Sequence, residues 1–312
     1  MRHSRHFKDW SPISGHTLCP GCPGGILWRY ILNAFGKRSI IQLSACCISR
    51  PAIRYPTLIR VPSIYISMPP VAAGASGIRA AIRVLTRSES RKGEDRKRIN
   101  VIAISGDGGA SDIGFASLSG AAERNEDIIF ICFDNEAYMN TGNQRSGLTP
   151  YGAWTHSTLE GKIERKKDLP SILAAHNIPY VATAAIGFPD DIEEKFQRAK
   201  GMGAGFKYIH VLCPCSVGWG FPTEKTAHLS RLAVETGAWP LYEVVQGRYR
   251  ITHRLSPRRP IKEYLSTQKR FSHFTPDDFE RMDNMVVERI DELRRRANLQ
   301  EAVTSGSKKE KR

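Results

Sequence analysis

The sequence predicts an α/β protein: a mostly parallel sheet with helices on both faces. Three observations predict it. Residues 99–105 read as a strand, 106–110 as a glycine-rich turn, 112–124 as a helix and 127–134 as a second strand. That order is a parallel crossover, the unit that puts ligands at the carboxyl ends of strands. The alternation then continues, with a helix at 169–176, a strand at 180–184, a helix at 190–200 and a strand at 208–212. Finally, the longest apolar runs, 99–104 and 128–133, have strand length and are bounded or broken by Asp or Asn, so no segment approaches a membrane span.

The remaining elements follow from period and punctuation. Residues 23–35 carry apolar side chains at helical spacing, and Gly36 is a plausible stop. Short strands are predicted at 40–45 and 64–68, the second ending at Pro69-Pro70. A helix is predicted at 71–86, with Ala72, Ala73, Ala75 and Gly77 on the face that approaches the sheet, then a charged surface loop at 87–97. Residues 136–162 show little periodicity, and a loop of that length is uncommon unless it serves a site. An amphipathic charged helix is predicted at 276–296, followed by a loose tail from about Thr304. The 312 residues divide into an N-terminal segment with a CxxC loop and the first helix (1–36), an α/β domain (37–245) and a C-terminal extension (246–312).

The net charge of +15 is spread over short patches at 91–98, 165–167 and 308–312. No zinc-finger spacing, aromatic RNP strand or basic heptad helix accompanies them, so nucleic acid is not the expected partner. A solvated basic surface, or docking of acidic protein partners, accounts for the charge. The basic residues 1–10 lack the apolar core of a secretory signal, and a cytoplasmic location without membrane attachment is expected.

Gly106-Asp107-Gly108-Gly109 falls where a strand gives way to a helix. Glycines let backbone approach a phosphate, and a helix N-terminus favours an anion. A carboxylate there makes sense if a divalent cation lies between it and the phosphate; Mg²⁺ takes one or two protein oxygens plus phosphate oxygens. One crossover later the next strand ends in Asp134-Asn135-Glu136, whose Asn135 amide is a candidate second ligand. The plain alternative is a capping Asp and a turn Asn. The paired spacing resembles the thiamine-diphosphate fingerprint, and by that resemblance Asp107, Asn135 and the carbonyl of Ala137 hold Mg²⁺ on the diphosphate.

Seven cysteines in an expected reducing compartment point to metal or catalysis rather than disulfides. Cys19-Pro20-Gly21-Cys22 is a CxxC loop ahead of a helix, which reads as zinc, iron–sulfur or a redox dithiol. A thioredoxin-like role needs a strand directly before it, and zinc wants a second CxxC or CxxH pair; neither is present. Four thiolates from three separated segments suit a [4Fe–4S] cluster, with Cys46 or Cys47 and Cys213 or Cys215 as the remaining ligands. Cys132 lies within a predicted buried strand and reads as a small core residue.

Together these segments resemble the beta subunit of pyruvate:ferredoxin oxidoreductase and the wider 2-oxoacid:ferredoxin oxidoreductase family. The resemblance rests on the stretch 106–153, on GHTLCPGC at 15–22, LSACC at 43–47, CPCSVGW at 213–219 and AVETGAWPLYEV at 233–244. It implies a thiamine-diphosphate-binding fold of the pyrophosphate-binding type. In the family one cluster ligand follows a strand as Ala-Thr-Gly-Cys and another sits in Pro-Cys-x-x-x-Trp, which points to Cys47 and Cys215 beside Cys19 and Cys22. It also implies that Asn140 faces the reactive thiazolium end of the cofactor, with Thr141 and Gly142 beside it. Two departures stand out: Pro23 replaces a common glycine after the CxxC, and 65–70 replaces a His-x-x-Phe-x-Asn stretch, leaving the identity of the 2-oxoacid open.

The implied chemistry is oxidative decarboxylation of a 2-oxoacid, pyruvate first, with coenzyme A as acyl acceptor and ferredoxin as electron acceptor. The implied partners are the other subunits, of alpha, gamma and delta type. The glutamate that activates the aminopyrimidine lies on another subunit in this family, and no second α/β half here supplies one. Two rival readings are a non-redox thiamine-diphosphate decarboxylase, which needs no cluster cysteines, and an electron-carrying subunit with a degenerate cofactor site, which the presence of Asp107, Asn135 and Asn140 disfavours.

Overall fold

The structure, a computed structural model, describes residues 16–309 except 37, 54–58, 60, 89–98 and 256, with side chains left aside at 87–88 and 299–309. Residues 1–10, most of the loop expected at 87–97, and the ends of the basic patches at 91–98 and 308–312 therefore lie outside it. The elements run α1 (Gly24–Phe35), β1 (Ser39–Ser44), α2 (Arg50–Ile53), β2 (Ser63–Ile66), α3 (Val71–Ser88), β3 (Asn100–Gly106), α4 (Phe115–Glu123), β4 (Ile129–Asp134), α5 (Leu169–Ala174), β5 (Tyr180–Ala185), α6 (Pro189–Gly201) and β6 (Lys207–Leu212). Then follow α7 (Ser216–Trp219), α8 (Thr226–Glu235), β7 (Tyr242–Val245), β8 (Arg248–Ile251), α9 (Ile261–Leu265) and α10 (Pro276–Lys309).

One sheet carries all eight strands in the order β2-β1-β3-β4-β6-β5-β7-β8. β2 through β5 pair in parallel, while β7 and β8 add an antiparallel edge. The alternation of the strands feeds two cores. Ile102, Ile104, Ile129 and Ile131 pack with Leu27, Trp28 and Ile31 of α1 and with Phe196 of α6. Val101, Ala103, Phe130 and Cys132 pack on the opposite face with Ala72 and Ala75 of α3, Leu118 of α4 and Leu173 of α5. A third cluster, around Trp219 and Phe221, joins α8, α9 and α10.

From β1 the sheet grows outward to β2 on one side and to β3, β4 and β6 on the other. Such a reversal opens a crevice at the carboxyl ends of the flanking strands. The segments after β1, β3, β4 and β6 begin with Ala45, Asp107, Asn135 and Cys213, so every predicted ligand except the CxxC pair hangs from this one edge.

Several expectations need correction. The helix predicted at 112–124 is divided: β3 runs straight into a helical turn at Asp107, a π turn spans Gly109–Ile113, and α4 follows from Phe115. The loosened turn tolerates no side chain at Gly114, where a Cβ would lie 2.2 Å from Gly109 O. On α3, Ala72 and Ala75 face the sheet but Ala73 and Gly77 do not, because burial follows Val71, Ala72, Ala75 and Arg79 at helical spacing. Gly74 makes the close approach instead, a Cβ there lying 2.9 Å from Gln42 Oε1. α10 continues to Lys309 rather than loosening at Thr304; no proline interrupts it, and Ala297, Leu299, Gln300 and Glu301 are good helix formers. Lys166 is no solvated surface charge: its side chain is 14% exposed and lies 2.7 Å from both Asp134 and Glu136.

Candidate cofactor and cluster site

Asp107 leaves β3 fully surrounded, at 2% exposure. Its Oδ2 accepts a 2.5 Å hydrogen bond from Ser146 Oγ, which fixes the carboxylate and leaves Oδ1 facing Asn135. As placed, the Asn135 amide oxygen lies 3.0 Å from Asp107 Oδ1 and 2.7 Å from Ala137 O. Three acceptors in contact need either an inverted amide that donates to the other two or a cation among them. Mg²⁺–oxygen bonds of 2.0–2.1 Å put adjacent octahedral ligands about 2.9 Å apart, so the donor set and its spacing fit this ion. Burial, and then the Asp134 carboxylate, push Asp107 well above the usual carboxylate range, a cost that a bound divalent cation offsets.

The loop bearing Asn135 and Ala137 is held from both sides. Trp219 Nε1 donates to Asn135 O at 2.8 Å, and Cys213 N donates to Asp134 O at 2.8 Å. Glu136 adopts a left-handed φ of 65°, which turns the chain so that the Ala137 carbonyl comes back beside the Asn135 amide. Its carbonyl accepts from Thr149 Oγ1 at 2.6 Å, and its carboxylate from Arg270 at 2.6 Å and Lys166 at 2.7 Å. Burial opposes ionisation of Asp134, but Lys166 and His210 outweigh it and hold the group down to about 2.

Gly108 has no room for a side chain, since a Cβ would sit 2.2 Å from the Tyr138 ring. Tyr138 Oη donates to Gly108 O at 3.0 Å and to Asp112 Oδ2 at 3.2 Å, while Asp112 accepts from Gly147 N at 2.9 Å. Behind Gly109, Ser105 Oγ is fully buried with no hydrogen-bond partner. Asn140 and Thr141 lie on a 3₁₀ turn that ends at Gly142, with φ 117°. Asn140 is exposed, and its Oδ1 accepts from Arg50 Nη2 at 2.8 Å. A cleft lined by Cys46, Cys47, Asp107, Asn135, Tyr138 and Asn140 joins the diphosphate turn to the cysteines. A larger cavity of about 520 Å³ opens on the far side of Glu136 beneath α10, away from the converging strand ends.

Cys22 senses the sulfurs of Cys215 and Cys19, Cys47 that of Cys46 first and then those of Cys215 and Cys22, and Cys215 that of Cys19, while Cys213 also senses Cys22. Burial, followed by neighbouring sulfurs, pushes Cys22 up to about 11 and Cys47 up to about 12, as befits thiols that lose a proton only to a metal. The CxxC loop docks beside Cys215: Gly21 takes φ 68° against Thr223, and Thr226 Oγ1 donates to Gly21 O at 2.7 Å. Cys46 Sγ lies 3.6 Å from the position of a Gly106 Cβ, and Cys213 and Cys132 are core residues at 0% exposure. Among the described residues no three His, Cys, Asp or Glu side chains close around a single metal ion. Cys19, Cys22, Cys47 and Cys215 are free thiols, the donor type that a four-iron cluster takes.

Residues 49–211 match the thiamine pyrophosphate enzyme, C-terminal TPP binding domain, family. Pyruvate synthase subunit PorB of Methanocaldococcus jannaschii is 48% identical over 281 residues, covering 88% of this chain and 93% of that protein. The chain belongs to the beta subunits of the 2-oxoacid:ferredoxin oxidoreductases. Within that family it is also 40% identical to ketoisovalerate oxidoreductase subunit VorB of Pyrococcus abyssi, over 92% of this chain and 93% of the relative. The fold is similar to a 2-oxoglutarate:ferredoxin oxidoreductase from Magnetococcus marinus, with TM-score 0.57 and 19% identity over 73% of this chain and 82% of that one. Among the described residues no helix is long and apolar enough to cross a membrane.

Sequence reasoning missed Ser146, Arg50 and the Lys166–Arg270 clamp on Glu136. Ser146 lies inside the segment that carries the resemblance, but a serine in a polar loop has no spacing that marks it as a partner of Asp107.

Proposed function

We propose that this beta subunit contributes the Mg²⁺–diphosphate site and one [4Fe–4S] cluster to a coenzyme A-acylating oxidative decarboxylase of pyruvate. Ferredoxin receives the electrons, and subunits of alpha, gamma and delta type complete the cytoplasmic complex. The observation that carries the reading is one cleft that gathers Asp107, the Asn135 side-chain amide and Ala137 together with Cys47 and Asn140. When bound, thiamine diphosphate supplies the nucleophilic carbon and the electron sink for decarboxylation.

The chain's own residues have separate tasks in this reading. Asp107, Asn135 and the Ala137 carbonyl hold Mg²⁺, and Gly106, Gly108 and Gly109 bring backbone against the diphosphate. Asn140, with Thr141 and Gly142 beside it, gives its amide to the substrate oxygen as charge develops there. Cys19, Cys22, Cys47 and Cys215 ligate the cluster, close enough to the cleft for electrons to leave without a further carrier. The division at 36 and 245 into cluster segment, cofactor domain and extension belongs to the same proposal.

Substrate choice rests on the wall after β2, where Met68 lines the cleft in place of the family's polar stretch. The 48% identity to one pyruvate synthase subunit favours pyruvate, while the VorB relatives, at 40%, make a branched 2-oxoacid the second reading. The test is a panel of pyruvate, 2-oxoisovalerate and 2-oxoglutarate on the purified complex, with iron and sulfide analysis of the same samples. The highest kcat/KM is expected with pyruvate and coenzyme A; a tenfold preference for 2-oxoisovalerate would overturn the substrate assignment.

A further inference from the structure

Arg50 opens α2 one turn after Cys47, and its backbone is tightly fixed. Its N–H donates to Cys47 O, Ser49 Oγ donates to Cys46 O at 2.7 Å, and Trp28 Nε1 donates to Ile48 O at 2.7 Å. From that base the guanidinium spans to the other wall of the cleft and donates from Nη2 to Asn140 Oδ1 at 2.8 Å. Asn140 is fixed on its own side. The turn that bears it is closed by Tyr138 N donating to Gln144 O at 2.8 Å and Thr141 Oγ1 donating to Gln144 Oε1 at 2.6 Å.

A guanidinium has donors only, so the end of the Asn140 amide that meets it must be the oxygen. The amide nitrogen is thereby turned away from Arg50 and kept as a donor. Without Arg50 an exposed asparagine turns over freely, and half of its orientations would meet a developing oxyanion with a carbonyl.

We propose that Arg50 is a positioning residue that fixes Asn140 with its amide nitrogen toward the substrate oxygen. The inference rests on the reading above that Asn140 faces substrate. Because Arg50 acts through Asn140, its loss cannot exceed the loss of Asn140 itself.

The experiment compares Arg50→Met, Arg50→Lys, Asn140→Ala and the Arg50→Met/Asn140→Ala pair in the assembled complex by steady-state kinetics. Asn140→Ala should lower kcat by roughly 10²-fold, the scale of a lost oxyanion donor. Arg50→Met should lower kcat by about tenfold or more with KM for the 2-oxoacid little changed. The pair should be no slower than Asn140→Ala, and Arg50→Lys, which keeps a donor-only cation, should recover part of the lost rate. Multiplying effects in the pair, or an Arg50→Met enzyme with unaltered kcat, would overturn the proposal. Wild-type kcat in Asn140→Ala would instead sink the underlying reading of the site. If Arg50→Met fails to assemble, Arg50→Gln decides: its amide can meet Asn140 with either end and so releases the fixed orientation, and a wild-type kcat in that variant refutes the positioning role.

Discussion

Asp107 has two oxygens with different partners, and that asymmetry sets what its variants should do. Oδ2 is taken by Ser146, while Oδ1 faces the Asn135 amide and, through it, the Ala137 carbonyl. Asp107→Ala should abolish Mg²⁺-dependent binding of thiamine diphosphate to the assembled complex; unchanged affinity by titration calorimetry would show the site to be elsewhere. Ser146→Ala should act more mildly. A hydrogen bond to a charged group is worth about 1.5–3 kcal/mol, so cofactor affinity should fall roughly 10- to 100-fold at fixed Mg²⁺. Among the thiols, serine at Cys19, Cys22, Cys47 or Cys215 should lose or convert the cluster, and serine at Cys46, Cys213 or Cys132 should keep it. Anaerobic iron and sulfide analysis of the seven variants checks this, with loss in Cys46→Ser and retention in Cys47→Ser reversing the assignment. Asp107 and Asn135 were legible because a chemical pairing repeats at strand ends. Ser146 and Arg50 were not, since the path of two loops, rather than any spacing, brings them to the cleft.

At the scale of elements, legibility followed length and burial. β3, β4 and β6 read directly from the sequence because each is buried along its whole length. β7 and β8 were missed: each has four residues, and on β8 the arginines at 248 and 250 face outward, which leaves too few positions to show a period. The π turn was invisible for another reason, since it follows from Gly109 and Gly114 meeting face to face rather than from propensity. Contacts between elements yield a pH prediction. Asp168 caps α5 by accepting from Ser171 N at 3.4 Å and meets Arg289 of α10 at 3.4 Å. Burial opposes its ionisation, but Arg289 and Ser171 outweigh it and hold the carboxyl below its ordinary value. A depressed folded pKa adds stability above the unfolded value of about 3.9 and loses it as pH falls through the folded one. Asp168→Ala should therefore cost about 1 kcal/mol near pH 7, with the gap to wild type narrowing toward pH 3 in denaturant melts. A gap that stays constant would mean the carboxylate charge plays no part.

At the scale of the whole molecule, the carboxylates bear on whether the proposed site is complete in one chain. In the proposed reading, activation of bound thiamine diphosphate would need a carboxylate directed at its aminopyrimidine. Among the described residues, the acids beside the cleft are already engaged. Asp107 belongs to the oxygen triad, Asp134 is held by Lys166 and His210, Glu136 by Lys166 and Arg270, and Asp112 by Gly147 N and Tyr138. Exposed apolar side chains stand on segments that adjoin this site, with Ile64 at 48% and Tyr65 at 50% on β2, Ile113 at 50% after the diphosphate turn and Val217 at 71% on α7. In the proposed complex a partner subunit packed there would exclude water from the cleft and supply that carboxylate. The +15 charge suits such assembly and suits acidic ferredoxin, since complementary charge steers encounter more than it sets affinity. The isolated subunit should therefore be catalytically silent. Positioned acid–base groups contribute ~10²–10⁴-fold in rate, and the chain alone should fall short of the complete complex by at least that factor. The measurement is reduction of an artificial electron acceptor by the purified chain with reconstituted cluster, given thiamine diphosphate, Mg²⁺, pyruvate and coenzyme A. Turnover matching the complex would mean that one of the engaged carboxylates releases its partners to do the activation, and Glu136→Gln and Asp112→Asn would then identify which.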